Sequence, residues 1–296
     1  MNGQTFVMDA VRALFEWGAD PERGALLPEG FHNPFRRSGI SRSVFKGDPL
    51  SEPDITLPMA LDLIGVSDTF QLRLFTPMLL FGLRAAEPCF LFAEYLADGW
   101  WKVPNNPDLN IKTKGRLDKR LPMLEELNPF WNLVLARKRA GLLYVSRSVE
   151  EAAGSAPPLL DMSLPELVEE YRRRCGYSKD NSAMGRRRIR DEILRDAGGL
   201  SYDALEAEFA DLGRRLKWPA AATLKDLRHL FATTLNNAAM PEPFRRYLMG
   251  QAPGRAAIIA YTHLHEIKRH YRDAVQKEWS ALLAAINRRV RELTRG

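Results

Sequence analysis

The chain has 296 residues, 45% of them apolar, which is enough for one large domain or two modest ones with a substantial buried core. Lysine and arginine number 43 against 37 aspartates and glutamates, and the formal net charge of +6 is compatible with a polyanionic partner without requiring one. The two cysteines make no disulfide framework or zinc motif, and no apolar run reaches membrane-spanning length, which favours a cytoplasmic protein without a membrane partner.

The first fifty residues predict one helix and a linker. Apolar side chains recur at helical spacing from Phe6 to Phe15, and the helix should end near Gly18. From Phe35 to Pro53 the residues are polar and basic among glycine and serine, a composition typical of a flexible linker. We therefore place a domain boundary between residues 1–52 and residues 53–296.

Two helices and a small sheet are predicted next. Leu57–Ile64 and Thr69–Leu83 have helical patterns, and the second is so apolar that it must be buried on most sides, with Arg84 at its end. The runs WWKVP and NIKTKGRLDKRLPM alternate around a Lys-Gly turn, which indicates an antiparallel hairpin or a three-stranded sheet. From Phe130 onward the pattern is helical again, so the expected fold class is mainly α with one small antiparallel β-sheet.

Several segments carry a recognisable order of motifs: FGLRAAE (residues 81–87), TKGRLDKRLP (113–122), LKDLRHLFAT (224–233), MGQ (249–251) and YTH (261–263). In composition and order they resemble the catalytic domain of tyrosine recombinases, the phage integrase family. The resemblance covers roughly residue 53 to the end and implies the fold of that catalytic domain. It also implies a set of catalytic residues, namely Arg84, Lys114, Lys225, Arg228, Gln251 and Tyr261.

The chemistry implied by the resemblance is cutting and rejoining of DNA through a 3′-phosphotyrosyl intermediate, with Tyr261 as nucleophile. Attack on a phosphodiester concentrates charge on the two non-bridging oxygens, and the planar guanidinium groups of Arg84 and Arg228 would bind them. Lys114 would protonate the leaving 5′ oxygen, although Lys112 lies on the same predicted strand face and could replace it. The covalent intermediate stores the bond energy, so no ATP is expected. No metal cofactor is expected either, because the sequence shows no cluster of carboxylates suited to metal-assisted phosphoryl transfer.

Departures from the family pattern motivate rival functions. Lys225 stands where most members have histidine, and Gln251 where they have histidine or tryptophan; both can contact phosphate, but lysine is a poor proton acceptor near neutral pH. Residues 1–52 are interpreted as the remnant of an N-terminal core-binding domain plus its linker. The main rival is a catalytically weak or inactive integrase-like protein that binds DNA and regulates recombination. A relaxing enzyme similar to type IB topoisomerases is a third hypothesis.

The resemblance also predicts partners. Double-stranded DNA is the expected substrate, and mobile-element DNA, a homotetramer and accessory DNA-bending proteins fit the family. An apolar stripe from Ile267 to Val290 predicts a C-terminal helix that packs either on a neighbouring subunit of the tetramer or on its own domain. Basic side chains elsewhere are either DNA backbone contacts or part of solvated surfaces, namely Lys112, Arg186, Arg187 and Arg188.

Overall fold

The chain divides after Glu52 into two units, Met1–Glu52 and Pro53–Gly296. The computed structural model describes residues 3–20, 22, 26–28, 30–35, 55–113, 118–136, 140–152, 154–251 and 264–295. In the first unit, helix α1 (Gly3–Gly18) ends at the predicted glycine, and the Phe15 ring stacks on those of Phe31 and Phe35 with centroids 5.6 Å apart in each case. The origin of this unit as a core-binding domain stays a prediction.

The larger unit begins with two apolar helices, α2 (Leu57–Val66) and α3 (Thr69–Phe81), close to their predicted positions. A capping box begins α3: the Asp68 carboxylate accepts from the Gln71 amide, and the Gln71 side-chain oxygen accepts from the Asp68 amide. Every residue of α3 from Phe70 to Phe81 is buried. The helix is therefore enclosed by the rest of the unit, as its apolar composition predicts.

The sheet is antiparallel in the order β1 (Leu96–Ala97), β2 (Trp100–Val103) and β3 (Lys119–Pro122), which confirms the predicted fold class. Trp101 pairs with Leu121 and Val103 with Lys119, and all four residues are buried. The connection from β2 to β3 is longer than a hairpin turn. Pro104 follows β2 directly and has no amide proton for the ladder, and the next stretch pairs only through an isolated bridge from Asn106 to Ile111.

Helices make up most of the remaining described chain: α4 (Asn128–Leu135), α5 (Arg147–Glu150), α6 (Leu164–Tyr177), α7 (Ala183–Asp196), α8 (Tyr202–Arg215), α9 (Leu224–Asn237), α10 (Glu242–Leu248) and α11 (Leu264–Arg295). The α6 and α7 helices pack as a pair around Leu167, Ile189 and Ile193, which belong to a hydrophobic cluster separate from the main core. Within the described ranges, no helix combines the length and apolar character needed to cross a membrane.

The C-terminal helix α11 packs on its own unit, against α2, α4 and α9. Its apolar stripe is fully covered there: Tyr271, Val275 and Ile286 have no exposed surface, and Trp279 is 1% exposed. Of the two predicted partners for this stripe, the chain's own domain is confirmed. Docking of the stripe on a neighbouring subunit of a tetramer stays a prediction.

Tyr271→Phe is expected to lower the free energy of unfolding by about 1–2 kcal/mol, because the buried Leu80 carbonyl loses its donor. In the native chain the Tyr271 hydroxyl donates to that carbonyl over 2.6 Å. Denaturant titration followed by circular dichroism measures the change. Tyr177 is 81% exposed, so Tyr177→Phe should change the free energy by less than about 0.5 kcal/mol. Equal losses in both variants would contradict the hydrogen bond.

Candidate active site

Arg84 lies directly beyond α3, where Gly82 ends the helix. The φ angle of Gly82 is +54°, in the left-handed region, and a Cβ atom there would lie 2.3 Å from Cδ1 of Phe231 on α9. Only glycine fits this position, so the chain turns here. The Arg84 side chain then donates from Nη2 to the Gly250 carbonyl (2.7 Å) and from Nη1 to Oε1 of Glu87 (3.2 Å).

Arg228 projects from α9 toward the same region. Its guanidinium donates from Nη1 to the Gly82 carbonyl and from Nη2 to the Met249 carbonyl. Burial, together with the positive charge of Arg84, lowers the pKa of Arg228 to about 10. The side chain is therefore still a cation at neutral pH, but it is held under electrostatic repulsion in a poorly solvated place.

The two guanidinium groups meet at one backbone turn after α10. Met249 and Gly250 are consecutive residues, and their carbonyls accept from Arg228 and Arg84 respectively. Gly250 has a φ angle of +56°, and a Cβ atom there would lie 3.3 Å from Cδ of Lys119 and 3.5 Å from Nη1 of Arg84. This turn fixes two planar cations next to one another, an arrangement suited to the non-bridging oxygens of a phosphodiester.

Beneath the arginines lies a buried ion pair that our sequence analysis missed. Lys119 of β3 is 2% exposed, and its Nζ donates to Oε2 of Glu87 over 2.8 Å. Burial, reinforced by Arg228 and Arg84, lowers the pKa of Lys119 to about 8, although Glu87 opposes the shift. Burial alone would raise the pKa of Glu87, but Lys119 and Arg84 outweigh it, and the net pKa is lowered.

Lys225 and Gln251, the two departures from the family pattern, are both exposed. Lys225 lies one helical turn before Arg228 on α9, so the two side chains share a face of the helix. The backbone N–H of Gln251 donates to the Arg246 carbonyl over 2.9 Å, and this bond fixes the backbone immediately after the Met249–Gly250 turn. Lys225 is thus on the Arg228 face of α9, and Gln251 follows the turn whose carbonyls accept from both arginines.

Other predicted residues fall in different places. Lys114 and Tyr261 lie outside the described residues, and their roles stay predictions. Lys112 is exposed and lines a cavity of about 210 Å³ together with Arg84, Glu87 and Phe90.

Three arginines of α7 that were predicted as DNA contacts are exposed, namely Arg186, Arg187 and Arg188. Two of them have acidic neighbours: Arg187 lies 4.0 Å from Asp191, and Arg188 lies 3.8 Å from Glu192. In the described part of the chain, no three His, Cys, Asp or Glu side chains are grouped to hold a metal.

Comparisons with known proteins define the fold. No protein-family model and no curated protein matches the chain. Among solved structures, the Tn1549 transposon integrase in complex with circular intermediate DNA is 16% identical over 88% of this chain and 74% of that chain, with a TM-score of 0.52. A second Tn1549 integrase–DNA complex, of a variant, is 15% identical over 94% and 78%, also at 0.52. The integrase from mycobacterium phage Brujita is 15% identical over 94% and 75%, with a TM-score of 0.48. The chain has the catalytic-domain fold of integrases, as its motifs predict.

Proposed function

We propose that this chain is a site-specific DNA recombinase that cuts and rejoins strands through a 3′-phosphotyrosyl intermediate. The observation that carries the proposal is the convergence of Arg84 and Arg228 on the Met249–Gly250 turn. The charge of Arg84 helps to lower the pKa of Arg228, so a bound anion would stabilise both cations. A DNA phosphate is the proposed anion, and the integrase fold with its ordered motifs supports this choice of ligand.

In the proposed reaction the Tyr261 oxygen attacks the scissile phosphorus. A P–O bond to tyrosine forms, the bond to the 5′ oxygen breaks, and the phenolic proton passes to water. Arg84 and Arg228 stabilise the charge that grows on the non-bridging oxygens. Lys114, or Lys112 in its place, protonates the leaving 5′ oxygen, while Lys225 and Gln251 contact the same phosphate. A 5′ hydroxyl from the exchanged strand then displaces the tyrosine, so every broken phosphodiester is restored without ATP.

The proposed partner is double-stranded DNA. We assign the contacts to DNA backbone phosphates other than the scissile one to four exposed side chains, namely Lys112, Arg186, Arg187 and Arg188. Exchange of strands between two duplexes calls for a homotetramer, which we propose to assemble on DNA. Accessory DNA-bending proteins and a cytoplasmic location, with the chain belonging to a mobile element, complete the proposal.

Covalent trapping tests the function. The full chain is incubated with a pool of nicked suicide duplexes that carry a randomised central segment, and DNA-linked protein is resolved on a denaturing gel. Wild type is expected to give a linked band, and Tyr261→Phe should give none because the attacking oxygen is gone. Tyr177→Phe removes a hydroxyl from an exposed tyrosine of α6 and should keep the band. A band that survives Tyr261→Phe would remove Tyr261 from its role.

The second candidate is a catalytically inactive integrase-like protein that binds DNA and regulates recombination. Lys225 and Gln251 favour it, because they stand where most members of the resembled family have histidine, and histidine or tryptophan, respectively. Gel shift with the same pool separates the two functions. Shifted DNA without a linked band in wild type would support the regulator and reject the recombinase. Relaxation of supercoiled plasmid without strand exchange would instead favour an enzyme similar to type IB topoisomerases.

A further inference from the structure

We infer that Lys119 is a positioning residue for the two phosphate-binding arginines, which it serves by neutralising the Glu87 carboxylate that holds Arg84. The inference rests on the proposed function and adds a residue to the same site. Lys119 cannot touch DNA itself, because it is 2% exposed and its Nζ is bonded to Glu87. It acts through the arginines above it.

Glu87 is hydrogen-bonded to both Lys119 and Arg84 and so connects the two side chains. Oε2 of Glu87 accepts from Lys119 Nζ over 2.8 Å and from the Arg84 amide over 2.9 Å, while Oε1 accepts from Arg84 Nη1 over 3.2 Å. Lys119 thus fixes the Glu87 carboxylate from one side. On the other side, the carboxylate accepts from both the backbone and the side chain of Arg84 and aligns them. Without Lys119, the negative charge of Glu87 would no longer be neutralised. Its attraction to Arg84 would then be stronger, and the Glu87–Arg84 contact would shorten.

The stem of Lys119 also supports the turn that carries the arginine acceptors. Its Cδ atom comes within 3.3 Å of the place where a Gly250 Cβ would lie, and the carbonyl of the same glycine accepts from Arg84. In β3 the residue pairs with the buried Val103, so the strand fixes the base of the side chain. Lys119 therefore lies between the sheet and the turn after α10 by packing, and it contacts Glu87 by charge.

The balance of charge predicts which step is affected. Arg84, Arg228, Glu87 and Lys119 carry a formal net charge of +2 together, and +1 without the lysine. A phosphodiester carries one negative charge, and attack by a phenolate brings the phosphorus centre to two. The lysine thus matches the transition state better than the bound substrate. Its removal should slow cleavage more than it weakens DNA binding.

Replacement by methionine tests the inference, because methionine keeps most of the stem and removes the charge. Lys119→Met is expected to slow single-turnover cleavage of the suicide duplex by about 10- to 100-fold, with a smaller change in the Kd for DNA. Lys277→Met is the matched control, since Lys277 lies on α11 with its side chain 63% exposed. The double variant Glu87→Gln with Lys119→Met restores the formal +2 and should recover most of the rate. A double variant as slow as Lys119→Met would overturn the charge argument.

The pH profile gives a readout that a merely structural lysine would not produce. Lys119 acts as a cation, and its pKa of about 8 means that the protonated fraction falls as pH rises through that value. The ratio of the wild-type rate to that of the double variant should therefore fall above about pH 8, and a constant ratio would contradict the inference. The ionisable groups around the lysine are Glu87, Arg84 and Arg228, with Tyr247 of α10 bonded to the adjacent backbone amide of Arg120.

An observation without turnover separates this inference from the proposed function. In protein labelled with 15N-arginine, the Arg84 Nε–H signal, assigned by its loss in Arg84→Lys, should be sharp in wild type and in Lys277→Met. It should shift in Lys119→Met, because the Glu87 carboxylate that accepts from Arg84 is no longer neutralised by the lysine and draws the guanidinium closer. If wild type forms no linked band but this signal behaves as expected, the recombinase proposal fails and the positioning role stands. An unchanged signal and an unchanged rate in Lys119→Met would refute the positioning role.

Discussion

Arg228→Gln is expected to slow strand cleavage by about 100- to 1,000-fold while the chain still binds DNA. The guanidinium of Arg228 bridges the Gly82 and Met249 carbonyls and faces Arg84, so it both completes the cationic pair and joins α3 to the turn after α10. A glutamine amide carries no charge and cannot span the same groups. Single-turnover trapping with saturating suicide duplex measures the rate, and gel shift measures the affinity.

Two further variants sharpen this prediction. Arg228→Lys keeps the charge but loses the planar fork, so its rate should lie between those of wild type and Arg228→Gln. Arg214→Gln removes an arginine whose side chain is 78% exposed on α8 and should leave the rate unchanged. The unfolding free energy of each variant identifies any loss that comes from misfolding. Cleavage by folded Arg228→Gln within a few-fold of wild type would remove Arg228 from phosphate binding.

Gly82→Ala is expected to lower the free energy of unfolding by about 2–4 kcal/mol. The added methyl would lie 2.3 Å from the Phe231 ring, and the φ angle of +54° strains any residue with a Cβ atom. The Phe231 ring is buried in the core and cannot move aside. The backbone at residue 82 and helix α9 must therefore move apart. Since the Gly82 carbonyl accepts from Arg228, cleavage should fall as well. Denaturant titration and trapping on the same preparation measure both effects.

The chain provides a matched control for this substitution. A Cβ atom at Gly65, in α2, would meet nothing within 4 Å, and the backbone there has no positive φ angle. Gly65→Ala should therefore gain about 0.5–1 kcal/mol, as expected for alanine in a helix. A Gly82→Ala variant as stable as wild type would mean that α3 does not need its left-handed end.

The positions of Arg84 and Arg228 could be predicted from sequence because each lies in a motif with its own local structure. Arg84 follows an apolar helix that ends at glycine, and Arg228 lies in a helix that begins with the Thr223 capping box. The structure then brings the two together across 144 positions of sequence, which only the family resemblance anticipated. Lys114 and Tyr261 rest on that resemblance alone.

Lys119 was missed for a physical reason. A lysine flanked by Asp118 and Arg120 has the composition of a solvated turn, and composition cannot show that a charge is buried. The period of a strand could have shown it: residues 119 and 121 share a face, and Leu121 had to point inward. The partner of the α11 stripe could not be predicted in the same way, since an amphipathic pattern shows that a face is buried and not what covers it.

The separate hydrophobic cluster of the α6–α7 pair bears on how such a protein diverges. Leu167, Ile189 and Ile193 bury one another outside the core that contains Phe231 and the rest of α9. The same cluster includes Ile111, which lines the cavity beside Arg84, so only substitutions on the exposed face of the pair are expected to leave the site in place. Selection on that face can change what the surface recognises while the groups that would hold a phosphate are kept.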